Sequence, residues 1–146
     1  WNLKLLQQTH WGTLAETLDE TLTLIKTINR QNFGITFEPA NLMACGSDFN
    51  KNALNQLLPH TENFYFQNII LDKKGKHIFP TIHNGDVRVK YISLDNSKGI
   101  NIFPFLDFLR EKKYDKWFTI HQPLLEDQTV EIAIENASKL FFQYKF

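Results

Sequence analysis

The sequence predicts an α/β fold with a parallel sheet, about four βα units long, and three observations predict it. Short apolar runs alternate with segments whose apolar residues recur every three or four positions, the pattern of strand followed by amphipathic helix. The strand candidates are apolar on both faces, as expected where helices cover one side and a second layer or a barrel interior covers the other. The first three of them recur at roughly one βα unit, about 30 residues. Strands alternating with helices are joined by right-handed crossovers into a parallel sheet. With 146 residues and 42% hydrophobic composition, the chain has material for one packed core and one domain.

In order along the chain, Asn2–His10 reads as a short strand. Leu14, Leu18, Leu22 and Ile25 then mark an amphipathic helix, with Thr13 and Glu16 as a capping-box start. Asn29–Asn32 ends that helix, and Phe33–Glu38 is the second strand. The stretch DFNKNALNQLLPH is a short helix capped by Asp48 or Asn50, with Pro59 near its end. Asn63–Leu71, aromatic and β-branched, is the third strand. Residues 72 to about 101 contain Gly75, Pro80, Gly85 and Gly99 and read as a long loop, of the kind that in compact domains is functional or disordered. Ile102–Tyr114 is a helix with Phe105, Leu106 and Leu109 facing inward. Lys116–Pro123 is the fourth strand, and the segment from Thr129 closes the chain as a helix.

Composition excludes several functions. Lys plus Arg and Asp plus Glu balance at 16 each, and the basic residues are scattered, so there is no electrostatic footprint for nucleic acid. No apolar segment approaches the roughly 20 residues of a membrane helix. The single Cys45 allows no intrachain disulfide and suits a reducing, cytoplasmic setting.

Polar residues end the apolar strands: Gln8, Glu38, Gln67 and His121. In parallel α/β folds ligands bind at the carboxyl ends of strands. Four such tips in phase therefore point to one shared site, the other reading being ordinary strand ends that face water or cap the next helix. His10, two residues beyond Gln8, lies on the same side of an extended strand. It is a site candidate or a core histidine. Trp11 reads as core packing, with stacking over a ligand as the other reading. His77, His83, Arg88 and Lys98 in the long segment read as solvated surface, or as contacts for a phosphate or carboxylate.

The run LLQQTHWGTLAETLDETLTLIKTINRQNFGITFEPANL, then YFQN, then YDKWFTIHQP, resembles the carboxyl-terminal half of the xylose-isomerase-like TIM barrels, the sugar-phosphate isomerases and epimerases. The resemblance covers residues 1–146 and implies a (β/α) parallel TIM-barrel type of fold, a half barrel formed by the family's strands five to eight. Gln8-Thr9-His10 stands where the family has a Glu at the end of its fifth strand. Glu38-Pro39-Ala40-Asn41 matches its Asp-x-x-His, Gln67 and Asn68 match its His-x-x-Asp region, and His121 stands for the Glu of the eighth strand. Lys113-Tyr114-Asp115-Lys116 echoes the turn before that strand, and Gly99-Ile100-Asn101-Ile102 the glycine-rich approach to the preceding helix.

The resemblance implies aldose–ketose isomerisation or epimerisation through an enediolate, assisted by a divalent cation: Mn, Mg or Zn. Its ligands would be Gln8, Glu38, Gln67 and His121, a weaker set than the family's two Glu, an Asp and a His because neutral amides add no charge; no metal at all is the other reading. Glu38 and His121, the titratable members, would carry the acid–base work. His10, Asn41 and Asn68 would bind the substrate, a sugar or sugar phosphate. The alternative is a carbohydrate-binding relative that kept the barrel and lost the charged ligands. A complete barrel needs about 250 residues and eight strands. Four strands imply a partner, the missing amino-terminal half or another copy of the chain, the other reading being an open sandwich of its own.

Overall fold

The computed structural model describes residues 3–126 and 128–144. Its centre is a four-stranded parallel sheet in the order β1 (Leu5–Gln8), β2 (Phe33–Phe37), β3 (Thr61–Phe66), β7 (Trp117–Ile120). Helix α1 (Leu18–Ile28) joins β1 to β2. Helices α2 (Pro39–Ala44) and α3 (Lys51–Leu57) join β2 to β3. Helix α4 (Phe103–Glu111) leads into β7, and α5 (Val130–Phe142) follows it. The expected parallel α/β order is therefore present.

The core lies where the central strands meet α3 and α4. Phe64 is its hub, with ring centroids 5.4 Å from Phe37, 5.7 Å from Phe105 and 4.8 Å from Phe118. Phe105, Leu106, Phe108 and Leu109 are the buried face of α4. Each fully enclosed side chain of this size contributes about 1.5–3 kcal/mol. Ile35 and Phe37 of β2 and Phe64 and Phe66 of β3 are wholly enclosed. The two outer strands differ: Leu5 is 66% exposed and Trp117 76% exposed, and in this sheet neither β1 nor β7 has a partner on its outer side.

Three expectations need correction. The sequence has two Thr-x-x-Glu patterns four residues apart, and the helix uses the second. Thr17 caps α1 by accepting from the Glu20 N–H at 3.2 Å, while Glu20 accepts from the Thr17 N–H at 2.9 Å. Glu16 is occupied elsewhere. Asn63–Leu71 is not one strand: the chain leaves the parallel sheet after Phe66 and resumes as β4 (Ile69–Leu71) in a second sheet. The segment expected as a loop completes that sheet. β5 (His77–Thr81) and β6 (Gly85–Tyr91) form an antiparallel hairpin, and β4 pairs with β6. Gly85 closes the turn at a φ of 65°, a conformation L side chains rarely adopt. Asn50 is the cap of α3. Among the described residues no helix is long and apolar enough to cross a membrane.

Candidate active site

Strand β2 ends on a charge because of the residue after it. Pro39 disfavours a helical conformation at Glu38, which stays extended at φ −132° and ψ 102°. As the first residue of α2, the proline forfeits no helix hydrogen bond. Thr9, fully buried just past β1, fixes the tip from the side. Its hydroxyl accepts from the Glu38 N–H at 2.8 Å and donates to the Glu38 carbonyl at 3.3 Å. The ends of β1 and β2 are thus held level, and the Glu38 side chain projects beyond them, 0% exposed.

Three side chains converge on that carboxylate. Oε2 accepts from the Gln8 amide and, at 2.8 Å, from the Asn41 amide; Oε1 is 3.0 Å from His121 Nδ1. His121 is placed by the sheet, because its N–H donates to the Phe66 carbonyl at 2.9 Å. The hydrogen bond to Glu38 raises the imidazole above its ordinary pKa against the opposing effect of burial, and the negative charge of Glu38 adds to the rise. With Nδ1 turned to the carboxylate, Nε2 is the ring atom left to exchange a proton with a ligand. The His121 side chain is 50% exposed, so the pair joins a buried carboxylate to an accessible base.

Asn41, 1% exposed, has both amide hydrogens committed, one to Glu38 and one to the Thr9 carbonyl at 3.0 Å. That fixes its orientation and leaves Oδ1 buried without a partner. Gln67 is buried at the end of β3, one residue past the carbonyl that holds His121, and its side chain does not bond the Glu38 group. His10 makes no hydrogen bond to Glu38; its Nδ1 lies 2.8 Å from the Trp11 carbonyl and its ring packs against Trp11. Asn68 is wholly enclosed and spent on backbone: its amide donates to the carbonyls of Ser93 and Asn96, both at 2.9 Å, and its oxygen accepts from the Ile100 N–H at 2.8 Å. Gly99 makes that close approach possible, since a Cβ there would lie 2.4 Å from Asn68 Oδ1.

The sequence reading missed Tyr91 and the role of Glu16. Tyr91, in β6 opposite Ile69, lies near enough for the charge of Glu38 to act on its phenol. The signal was present, because Asn84-Gly85 between alternating runs is a strong hairpin marker. Glu16, 0% exposed, accepts from the N–H groups of Gly12 at 2.8 Å, Ile82 at 2.7 Å and His83 at 3.2 Å, tying the start of α1 to the hairpin tip.

A divalent cation does not fit this arrangement. Gln8 and Asn41 turn N–H groups, not oxygens, toward Glu38, and His121 Nδ1 faces the same carboxylate. Among the described residues no three His, Cys, Asp or Glu side chains gather where they could hold a metal. A separate cavity of about 990 Å³ opens between the end of β7 and α5, lined by Ser93, Ile120, Gln122, Leu125 and Ile134; Glu38 is not part of its wall.

A parallel sheet with helical crossovers and polar groups gathered at its carboxyl edge is the architecture of a TIM-barrel segment, and solved structures bear this out. The probable 3-DHS dehydratase AsbF of Bacillus anthracis, involved in petrobactin synthesis, matches over 99% of this chain and 51% of its own, with TM-score 0.65 and 21% identity. A xylose isomerase domain protein from Planctomyces limnophilus matches over 93% and 44%, with TM-score 0.60 and 20% identity. A xylose isomerase-like TIM barrel protein from Mycobacterium smegmatis, solved in complex with magnesium, matches over 95% and 43%, with TM-score 0.64 and 14% identity. The fold is that of xylose isomerase-like TIM-barrel proteins, and the chain spans about half the length of the structures it matches. No family model and no curated protein matches the sequence.

Proposed function

We propose that this chain is the carboxyl-terminal half, strands five to eight, of a TIM-barrel sugar or sugar-phosphate isomerase or epimerase. One observation carries the reading: the buried Glu38 carboxylate 3.0 Å from Nδ1 of the half-exposed His121, at the carboxyl edge of the parallel sheet. His121 Nε2 takes the proton from the carbon next to the substrate carbonyl. The C–H electron pair becomes a carbon–carbon double bond, the carbonyl pair moves to oxygen, and an enediolate forms. Glu38 stabilises the resulting imidazolium. In isomerisation the hydroxyl proton passes to the former carbonyl oxygen as the imidazolium returns its proton to the former carbonyl carbon; in epimerisation a water on the opposite face reprotonates the original carbon, and the hydroxide it leaves takes the proton from His121. General acid–base catalysis of this kind contributes about 10²–10⁴ in rate.

No step is assigned to a cation, and any Mn, Mg or Zn would need ligands from the rest of the barrel. The unpaired outer sides of β1 and β7 are where that remainder would pair, whether it is the amino-terminal half or another copy. Carboxamides at Gln8 and Gln67, where the resemblance expects charge, favour a second reading, a sugar-binding relative without turnover.

The test incubates the full-length protein in deuterium oxide with a panel of aldoses, ketoses and their phosphates. Solvent deuterium should enter the carbon beside the carbonyl, and His121→Asn should abolish its entry. Saturable binding without exchange would select the second reading, and exchange undiminished in His121→Asn would remove the mechanism.

A further inference from the structure

The enediolate step leaves one requirement unmet by the groups already placed: a donor for the oxygen on which negative charge develops. We propose that Tyr91, carried to the sheet mouth by the antiparallel insertion, supplies that donor through its phenolic O–H and is a catalytic residue of the site. This rests on the isomerase or epimerase reading.

The placement follows from backbone contacts. Tyr91 pairs with Ile69 in the β4–β6 ladder, two residues beyond Gln67. The next residue, Ile92, is gripped on both sides: its N–H donates to the Asn68 carbonyl at 3.1 Å, and its carbonyl accepts from the Gln122 side chain at 3.2 Å. Asn68 follows Gln67 and Gln122 follows His121, so Tyr91 stands over the mouth between the tips of β3 and β7. Its ring is braced by His77 at 4.7 Å and Phe79 at 6.4 Å, and Phe79 stacks on Trp11 at 5.4 Å. The hydroxyl bonds no other group among the described residues, so its proton is free for a ligand. Burial, and after it the charge of Glu38, push the phenol above its ordinary pKa. Tyr91 therefore keeps its proton at neutral pH and donates a hydrogen bond without giving the proton up. A neutral donor near a developing oxyanion in a partly dry site is the role the residues of this chain do not give to a cation.

The experiment compares the full-length parent with Tyr91→Phe in the same deuterium-exchange and turnover assays, with melting temperature as the control for folding. Phenylalanine keeps the ring contacts and removes only the hydroxyl. The expected result is an unchanged melting temperature, a KM within a few-fold of the parent and a kcat about 100- to 1,000-fold lower. A kcat less than about tenfold lower overturns the role of Tyr91 and leaves the function standing. A parent that exchanges no deuterium into any member of the panel overturns both.

Discussion

Glu16 and Glu38 are both 0% exposed, lie 22 positions apart, and are held in opposite ways. Glu16 accepts from backbone N–H groups of Gly12, Ile82 and His83, donors that cannot titrate and move only if the chain moves, while the His83 imidazole stays 3.8 Å away. Glu38 is surrounded by side chains, one of them an imidazole that opens on solvent. Burial alone does not mark a reactive carboxylate. The chemistry of its donors separates the two: fixed amides make a clasp, and a titratable, accessible partner gives the pair that the proposed function requires.

The largest way to break this contrast is Glu38→Gln. Turnover should fall by about 10²–10⁴-fold, because an amide cannot stabilise the imidazolium, with folding retained by circular dichroism. An effect under tenfold would put Glu38 in the same structural class as Glu16. Next is Glu16→Ala, which strands buried N–H donors of the hairpin tip. Denaturant unfolding should show a loss of about 1–3 kcal/mol, and turnover should change only as far as the hairpin loosens.

The smallest effect is a pH dependence of the same clasp. His83 Nε2 lies 2.7 Å from Glu20 and 3.8 Å from Glu16. The hydrogen bond to Glu20, and then the charge of Glu20, raise His83 above its ordinary 6.5. Burial works against the shift of Glu20, but hydrogen bonds from His83 and Thr17 outweigh it and hold the carboxyl below its ordinary 4.5. A raised imidazole stabilises fully below 6.5 and loses its contribution as pH rises through the raised value. A lowered carboxyl stabilises fully above 4.5 and loses it as pH falls through the lowered value. The tip should therefore be tightest between pH 4.5 and 6.5. Hydrogen exchange at Ile82 and His83, corrected for the intrinsic rate, should show that window in the parent and lose it in His83→Asn.

Much of the parallel layer was legible because its strands are apolar and end on polar residues, although the structure covers β2 and β3 and leaves Leu5 and Trp117 of the edge strands exposed. Order and spacing grouped Gln8, Glu38, Gln67 and His121, and the structure joins three of them, with no bond from the Gln67 side chain to Glu38. The second sheet was not legible by that route. Its strands are half exposed, as in Asp86-Val87-Arg88-Val89-Lys90, and their glycines and proline read as loop until the Asn84-Gly85 turn is weighed. The two Thr-x-x-Glu boxes were indistinguishable in sequence, since what decides between them is a backbone turn 66 positions away that takes Glu16 for itself. Asn68 misled for a related reason: a strand-end amide can serve a ligand or a loop, and Gly99, which admits the loop, lies 31 residues further on.

Cys45 lies beneath the same hairpin tip, its carbonyl accepting from the Asn84 side chain at 2.7 Å. Burial, and then the charge of Glu16, push its thiol up to about 12, so an alkylating reagent finds almost no thiolate while the clasp is shut. The one sulfhydryl in the chain is thereby a timer: the rate at which iodoacetamide consumes it counts how often the insertion lifts away, with no label to be engineered.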